Sequence, residues 1–163
     1  MSYVQVWIHA IWGTKNRQHL LRSEIRPTVM KPIRENAREK DLHIDSLDGS
    51  TEHLHCLFAL NADMPIAKAL QLIKGESAYW INKEKLTLTR FEGANEYYAA
   101  SVSESMLPLV RRYIENQEPH HMYKKYADEV QGFLANHDLA LHDCGVGAPP
   151  ADERGKGGGD RKH

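Results

Sequence analysis

The chain has 163 residues with 21 Lys+Arg against 22 Asp+Glu, a formal charge of −1, and 41% hydrophobic residues, which suits one soluble globular domain with a tail. No apolar run nears the roughly 20 residues that cross a bilayer, and with no basic region followed by an apolar one after Met1-Ser2-Tyr3 a secretory signal is not expected. Two cysteines, Cys56 and Cys144, make no disulfide framework, so a reducing cytoplasm is the expected compartment. Residues 3–13, YVQVWIHAIWG, put Val4, Val6, Ile8, Ala10 and Trp12 on one face of a strand. Residues 22–40 carry Ile25, Val29, Ile33 and Ala37 at helical spacing, with Pro27 in the first turn and Pro32 expected to kink the helix or delay its start. A second strand is predicted at 42–48, a turn at Asp48-Gly49-Ser50-Thr51, and a third strand, HLHCLFAL, at 53–60. Asp63 is positioned to cap a helix with Pro65 in its first turn, running to about Lys83. A fourth strand at 97–103 leads to Ser103 or Ser105 as the cap of a helix at 106–117, and a last helix spans about 124–136.

The order β-α-β-β-α-β followed by two helices predicts an α+β, ferredoxin-like (RRM-like) fold. Its sheet would have four antiparallel strands, with the first and third central. Residues 145–163 hold six Gly, two Pro and seven charged residues, so the domain is expected at 1–142 and a flexible Gly-rich tail at 143–163. Charge is segregated. Residues 15–40 contain eight Lys/Arg and three Glu, a local +5, which reads either as a footprint for a polyanion or as a solvated amphipathic helix.

His53 and His55 alternate with Leu54 on the third strand and therefore face the same way, followed by Leu57 and Ala59. Two imidazoles side by side can ligate a divalent cation. Alone, a His-x-His is more often a pair on a half-exposed sheet face. On the helix at 106–117, Met106, Leu109, Val110, Tyr113, Ile114 and Gln117 form one stripe expected to face the body of the protein. Taken alone, its Tyr113 and Gln117 read as a core tyrosine and a stripe-ending glutamine.

Together these residues resemble a known family. His53-Leu54-His55 is similar to the HUH motif (His, hydrophobic, His). Tyr113-Ile114-Glu115-Asn116-Gln117 followed by His120-His121 is similar to the Tyr-Ile-x-Asn-Gln-x-x-His-His signature of single-tyrosine HUH transposases. Thr14-Lys15-x-Arg17 and Ser101-Val102-Ser103 extend the resemblance over roughly residues 3–142. The resemblance implies that His53, His55 and Gln117 bind Mg²⁺ or Mn²⁺. It implies that Tyr113 cleaves single-stranded DNA through a covalent 5′-phosphotyrosine, so that the same site can rejoin strands. It further implies imperfect-hairpin ends as substrate and a homodimer as the working assembly. Glu52, where relatives carry Asp, is expected to orient a histidine. Lys15, Arg17, Arg111, Arg112 and His120 are the expected DNA contacts, with Tyr97 or Tyr98 able to stack on bases. The chain departs from the family at Cys56, which is expected to point into the core, and across Phe91–Tyr97. Two other readings stay open: a non-catalytic nucleic-acid-binding ferredoxin-like module, which would use aromatics on an exposed sheet face, and a domesticated nuclease associated with REP elements.

Overall fold

A computed structural model of the chain describes residues 2–116 and Gly132. The expected helix at 124–136, apart from Gly132, and the tail at 143–163 lie outside the described residues. Four strands form one sheet: β1 (Val6–Gly13), β2 (His43–Gly49), β3 (His53–Leu60) and β4 (Tyr98–Val102). The helices are α1 (Arg26–Glu39), α2 (Ile66–Lys83) and α3 (Leu107–Glu115). The sheet order is β2-β3-β1-β4 with every neighbour antiparallel, so β1 and β3 are central, as predicted. This is the α+β, ferredoxin-like plan. No helix among the described residues is long and apolar enough to cross a membrane.

Alternation along β1 and β3 sorts their side chains onto two faces. Ile8, Ala10 and Trp12 of β1 join Leu54, Cys56 and Phe58 of β3 on one face, against Val29, Ile33 and Ala37 of α1 and Leu70, Ile73 and Ile81 of α2. This is the main core, and each large aliphatic in it contributes about 1.5–3 kcal/mol over exposure. Leu57, one residue out of phase, lies on the opposite face and meets Leu107 and Ile114 of α3. The sheet is therefore covered on both sides. Burial pushes the Cys56 thiol up to about 12, which leaves it an inert core residue.

Several local expectations shift. α1 begins at Arg26, with Pro27 in its first turn, and runs on through Pro32. Asp63 is not the cap of α2. Pro65 is, in an extended conformation (φ −63°, ψ 147°), and no side chain bonds the helix end. A short 3₁₀ turn at Glu104–Met106 separates β4 from α3, so neither Ser103 nor Ser105 caps the α-helix. Between β2 and β3 the turn is so tight that a Cβ on Gly49 would lie 2.1 Å from the His53 carbonyl oxygen. Only glycine allows that approach, and the approach sets where His53 begins β3. β2 also carries a bulge. Ile44 pairs with Phe58 and Ser46 with Leu57, so Asp45 is the extra residue.

Candidate active site

The face of the sheet opposite α1 and α2 gathers the residues that could do chemistry. His53 and His55 point to this face together with Leu57. Their rings are 5.3 Å apart at an interplanar angle of 63°. Both are fully buried, where sequence alone places them on a half-exposed face. The cause is α3, which the linear pattern cannot place. Its Leu107 and Ile114 close over Leu57.

Tyr113 stands on α3 with its ring 5.5 Å from that of His55, edge to face, and it is 38% exposed. It thus touches the histidine pair from the rim, with its ring partly open to solvent. The stripe predicted on this helix is rotated. Leu107, Val110 and Ile114 pack on the sheet, while Met106 and Leu109 are about half exposed. The reason is geometric: with Leu107 and Ile114 seven residues apart over Leu57, the helix turns Met106 and Leu109 outward.

α3 is tied down by a second contact. The Nε and Nη2 groups of Arg111 donate to the two carboxylate oxygens of Asp45 at 2.7 and 2.8 Å. The bulge in β2 supplies this carboxylate, as bulges re-aim side chains, and a two-point Arg–carboxylate bond fixes direction as well as distance. Arg111, one of the expected DNA contacts, carries this bond to Asp45. The Arg111 guanidinium holds the Asp45 carboxyl below the usual carboxylate range, assisted by the Ser46 hydroxyl and opposed by partial burial. A lowered native value means that this contribution to stability is complete above the ordinary aspartate value of about 3.9 and fades as pH falls through the lower one. Asp45→Asn should therefore flatten the acid limb of the stability curve below about pH 4, measured as denaturant midpoints against pH. An acid limb as steep as that of the parent protein would show that the pair does not couple α3 to the sheet.

The ring nitrogens of the two histidines are individually engaged. The Ser50 hydroxyl lies 3.0 Å from His53 Nδ1. His9 Nε2, from the neighbouring central strand, lies 3.0 Å from His55 Nδ1. In both histidines Nδ1 is held by a neighbour, the kind of contact that orients a ligating imidazole. The donor chemistry fits: two imidazoles held on one sheet face by neighbours are a usual way to present two ligands to a divalent ion. Among the described residues no group of three His, Cys, Asp or Glu could hold a metal. Gln117, the expected third ligand, and His120 lie outside the described residues. Glu52 sits in the same turn as Ser50. Its backbone N–H donates to Ser50 Oγ at 3.4 Å, and its carbonyl accepts from the Thr14 N–H at 2.7 Å.

That last bond joins the β2–β3 turn to the end of β1, where the expected DNA contacts begin. Lys15 is ion-paired with Glu92, and Asn16 and Arg17 both adopt left-handed backbone (φ 55° and 53°). The 92–94 loop is stitched to the same place through Lys15 N–H to the Glu92 carbonyl and Ala94 N–H to the Gly13 carbonyl. Arg112 and Tyr97 are exposed, and Tyr98 is partly exposed. Three residues at the site, His9, Ser50 and Asp45, were not singled out as site residues from sequence. Only His9 has a signal there: with Tyr3 and Trp7 it forms the face of the first strand that keeps the non-catalytic nucleic-acid-binding reading open.

Comparison with known proteins adds to this geometry. The family model described as "Transposase IS200 like" matches residues 2–117. The ISDra2 transposase TnpA of Deinococcus radiodurans is 28% identical over 123 residues, 69% of this chain and 84% of that protein. A candidate transposase from Deinococcus radiodurans, solved by crystallography, superposes with a TM-score of 0.56 at 24% identity, over 72% of this chain and 95% of that one. A REP-associated tyrosine transposase bound to a REP hairpin superposes with a TM-score of 0.57 at 15% identity, over 76% of this chain and 73% of that one. At these identities the two structures speak to the fold alone.

Proposed function

The chain belongs to the IS200-like transposase family, and on that footing we propose that it cleaves and rejoins single-stranded DNA through Tyr113. The observation that carries this reading is the Tyr113 ring standing 5.5 Å from the His55 ring on an otherwise closed sheet face. Tyr113 Oη attacks a backbone phosphorus. The bond from phosphorus to the 3′ oxygen breaks, the phenol gives up its proton, and the departing 3′ oxygen takes one up. The product is a 5′-phosphotyrosine and a free 3′-hydroxyl. Because the phosphodiester energy is kept in the tyrosyl ester, attack by another 3′-hydroxyl rejoins strands without a nucleotide cofactor.

A phenol with an ordinary pKa near 10 is a weak nucleophile at neutral pH. His53 and His55 through Nε2, with Gln117, would hold Mg²⁺ or Mn²⁺, which when bound supplies positive charge beside the phosphate oxygens. The residues of the chain do the rest. Ser50 and His9 orient the two imidazoles. Arg111 on Asp45 holds α3, and so Tyr113, against the sheet. Leu57, Leu107 and Ile114 keep water from the floor of the site. Lys15, Arg17 and Arg112 are the candidates for neutralising backbone phosphates near the end of β1 and along α3, with His120 a further candidate.

The structural neighbour that carries a REP hairpin supports a DNA hairpin as the element recognised, and a homodimer is the working form that the family resemblance implies. A non-catalytic module that stacks bases on its open sheet is less well supported, because α3 lies over that face. Whether the protein moves a mobile element or serves dispersed palindromes is a property of the gene's flanks.

The test is incubation with single-stranded DNA from those flanks, with and without Mn²⁺, followed by a denaturing gel. A covalent protein–DNA band that requires the metal is the expected result. DNA binding without any covalent band would favour the non-catalytic module.

A further inference from the structure

His9 is the single histidine of β1, and only 4% of it is exposed. In the antiparallel register Ile11 faces His55 and His9 faces Leu57, so the His9 ring lies one diagonal step from His55 on the same sheet face. The diagonal is closed by a hydrogen bond of 3.0 Å between His9 Nε2 and His55 Nδ1, with the rings 5.3 Å apart and tilted by 30°. The same ring meets Tyr113 edge-on at 6.2 Å. It is thus in ring contact with both His55 and Tyr113.

We propose that His9 is a positioning residue that sets the tautomer of His55. A neutral imidazole carries one N–H and one lone pair. Only one proton fits between His9 Nε2 and His55 Nδ1. If it sits on His55 Nδ1, His9 accepts, and His55 Nε2 keeps its lone pair for a cation. If it sits on His9, His55 is protonated at Nε2 and cannot ligate. Carboxylates and carbonyls usually accept from a ligating histidine. An imidazole acceptor orients His55 without adding a negative charge next to the phosphate that the site must hold. The proposal rests on the reading of His53 and His55 as cation ligands.

The test is Mn²⁺ titration of the metal-stripped full-length protein by calorimetry, for the parent, His9→Gln, His9→Leu and a His53→Ala/His55→Ala control. Glutamine offers an amide oxygen in place of Nε2, whereas leucine fills the space without accepting. His9→Leu should weaken Mn²⁺ binding by roughly 10–100-fold, the range for losing the partner of a ligating histidine. His9→Gln should recover most of that loss. Binding by His9→Leu equal to the parent would overturn the assignment, and so would an equal loss in both variants, which would mark a packing role. If the parent binds Mn²⁺ no better than the double-alanine control, the ligand reading itself fails, a result separate from either of these. Should His9→Leu not fold, long-range ¹H–¹⁵N spectra of the metal-free parent decide the matter. A proton on His55 Nδ1 is expected, and one on His55 Nε2 overturns the proposal.

Discussion

Tyr113→Phe should bind hairpin-containing single-stranded DNA as the parent does and form no covalent adduct with it. Phenylalanine keeps the ring and its edge-on contacts with His55 and His9 and removes only Oη. Because Tyr113 is more than a third exposed, stability should change by no more than about 0.5 kcal/mol. Affinity should hold, since phosphate and base contacts elsewhere supply it. Cleavage should fall on the order of 10⁴-fold or more, the scale on which removal of an enzymatic nucleophile acts. A mobility shift under native conditions together with a denaturing gel separates binding from chemistry. An adduct of undiminished yield would move the nucleophile to another residue.

Removing the cation should be nearly as damaging. Charge stabilisation of a phosphoryl transition state by a bound metal is worth several kcal/mol, so EDTA should slow cleavage by roughly 10²–10⁴-fold at about 1.4 kcal/mol per tenfold. His53→Ala and His55→Ala should reproduce the loss. Added Mn²⁺ should restore the EDTA-treated parent and fail to restore either variant. The EDTA arm matters because both rings are fully buried, and truncating either leaves a cavity that costs stability in its own right. Thermal midpoints measured beside the rates divide lost chemistry from lost fold. Cleavage that survives EDTA at the parent rate would contradict the ligand set of His53, His55 and Gln117.

The two tests probe different parts of the site, and the parts were legible in the sequence to different degrees. β3 was readable to the residue, 53–60, because HLHCLFAL follows a turn signal and its His-x-His start runs into an unbroken apolar stretch of strand length. The strand order followed from element order, since a βαββαβ chain places its first and third strands in the middle. α3 was harder. Its apolar spacing reads as one stripe through Met106 and Leu109, whereas the packed face runs through Leu107, Val110 and Ile114. Asp63 misled for a related reason: a good capping residue two positions early competes with Pro65, whose ring favours the extended conformation from which α2 starts.

What the sequence determined by itself is what backbone geometry imposes locally. Period two puts His53 and His55 on one face and Cys56 on the other, whatever surrounds them. What only the tertiary structure decided is which residues meet across that face. His9 and His55 are 46 positions apart, and Asp45 and Arg111 are 66 apart. The first contact depends on the β1–β3 register and the second on a single extra residue in β2. A shift of one residue in either strand would send these side chains to the opposite face, so no local pattern could have announced them. The burial of the histidine pair has the same origin: it is set by where α3 lands on Leu57, a contact that exists only once the sheet has formed.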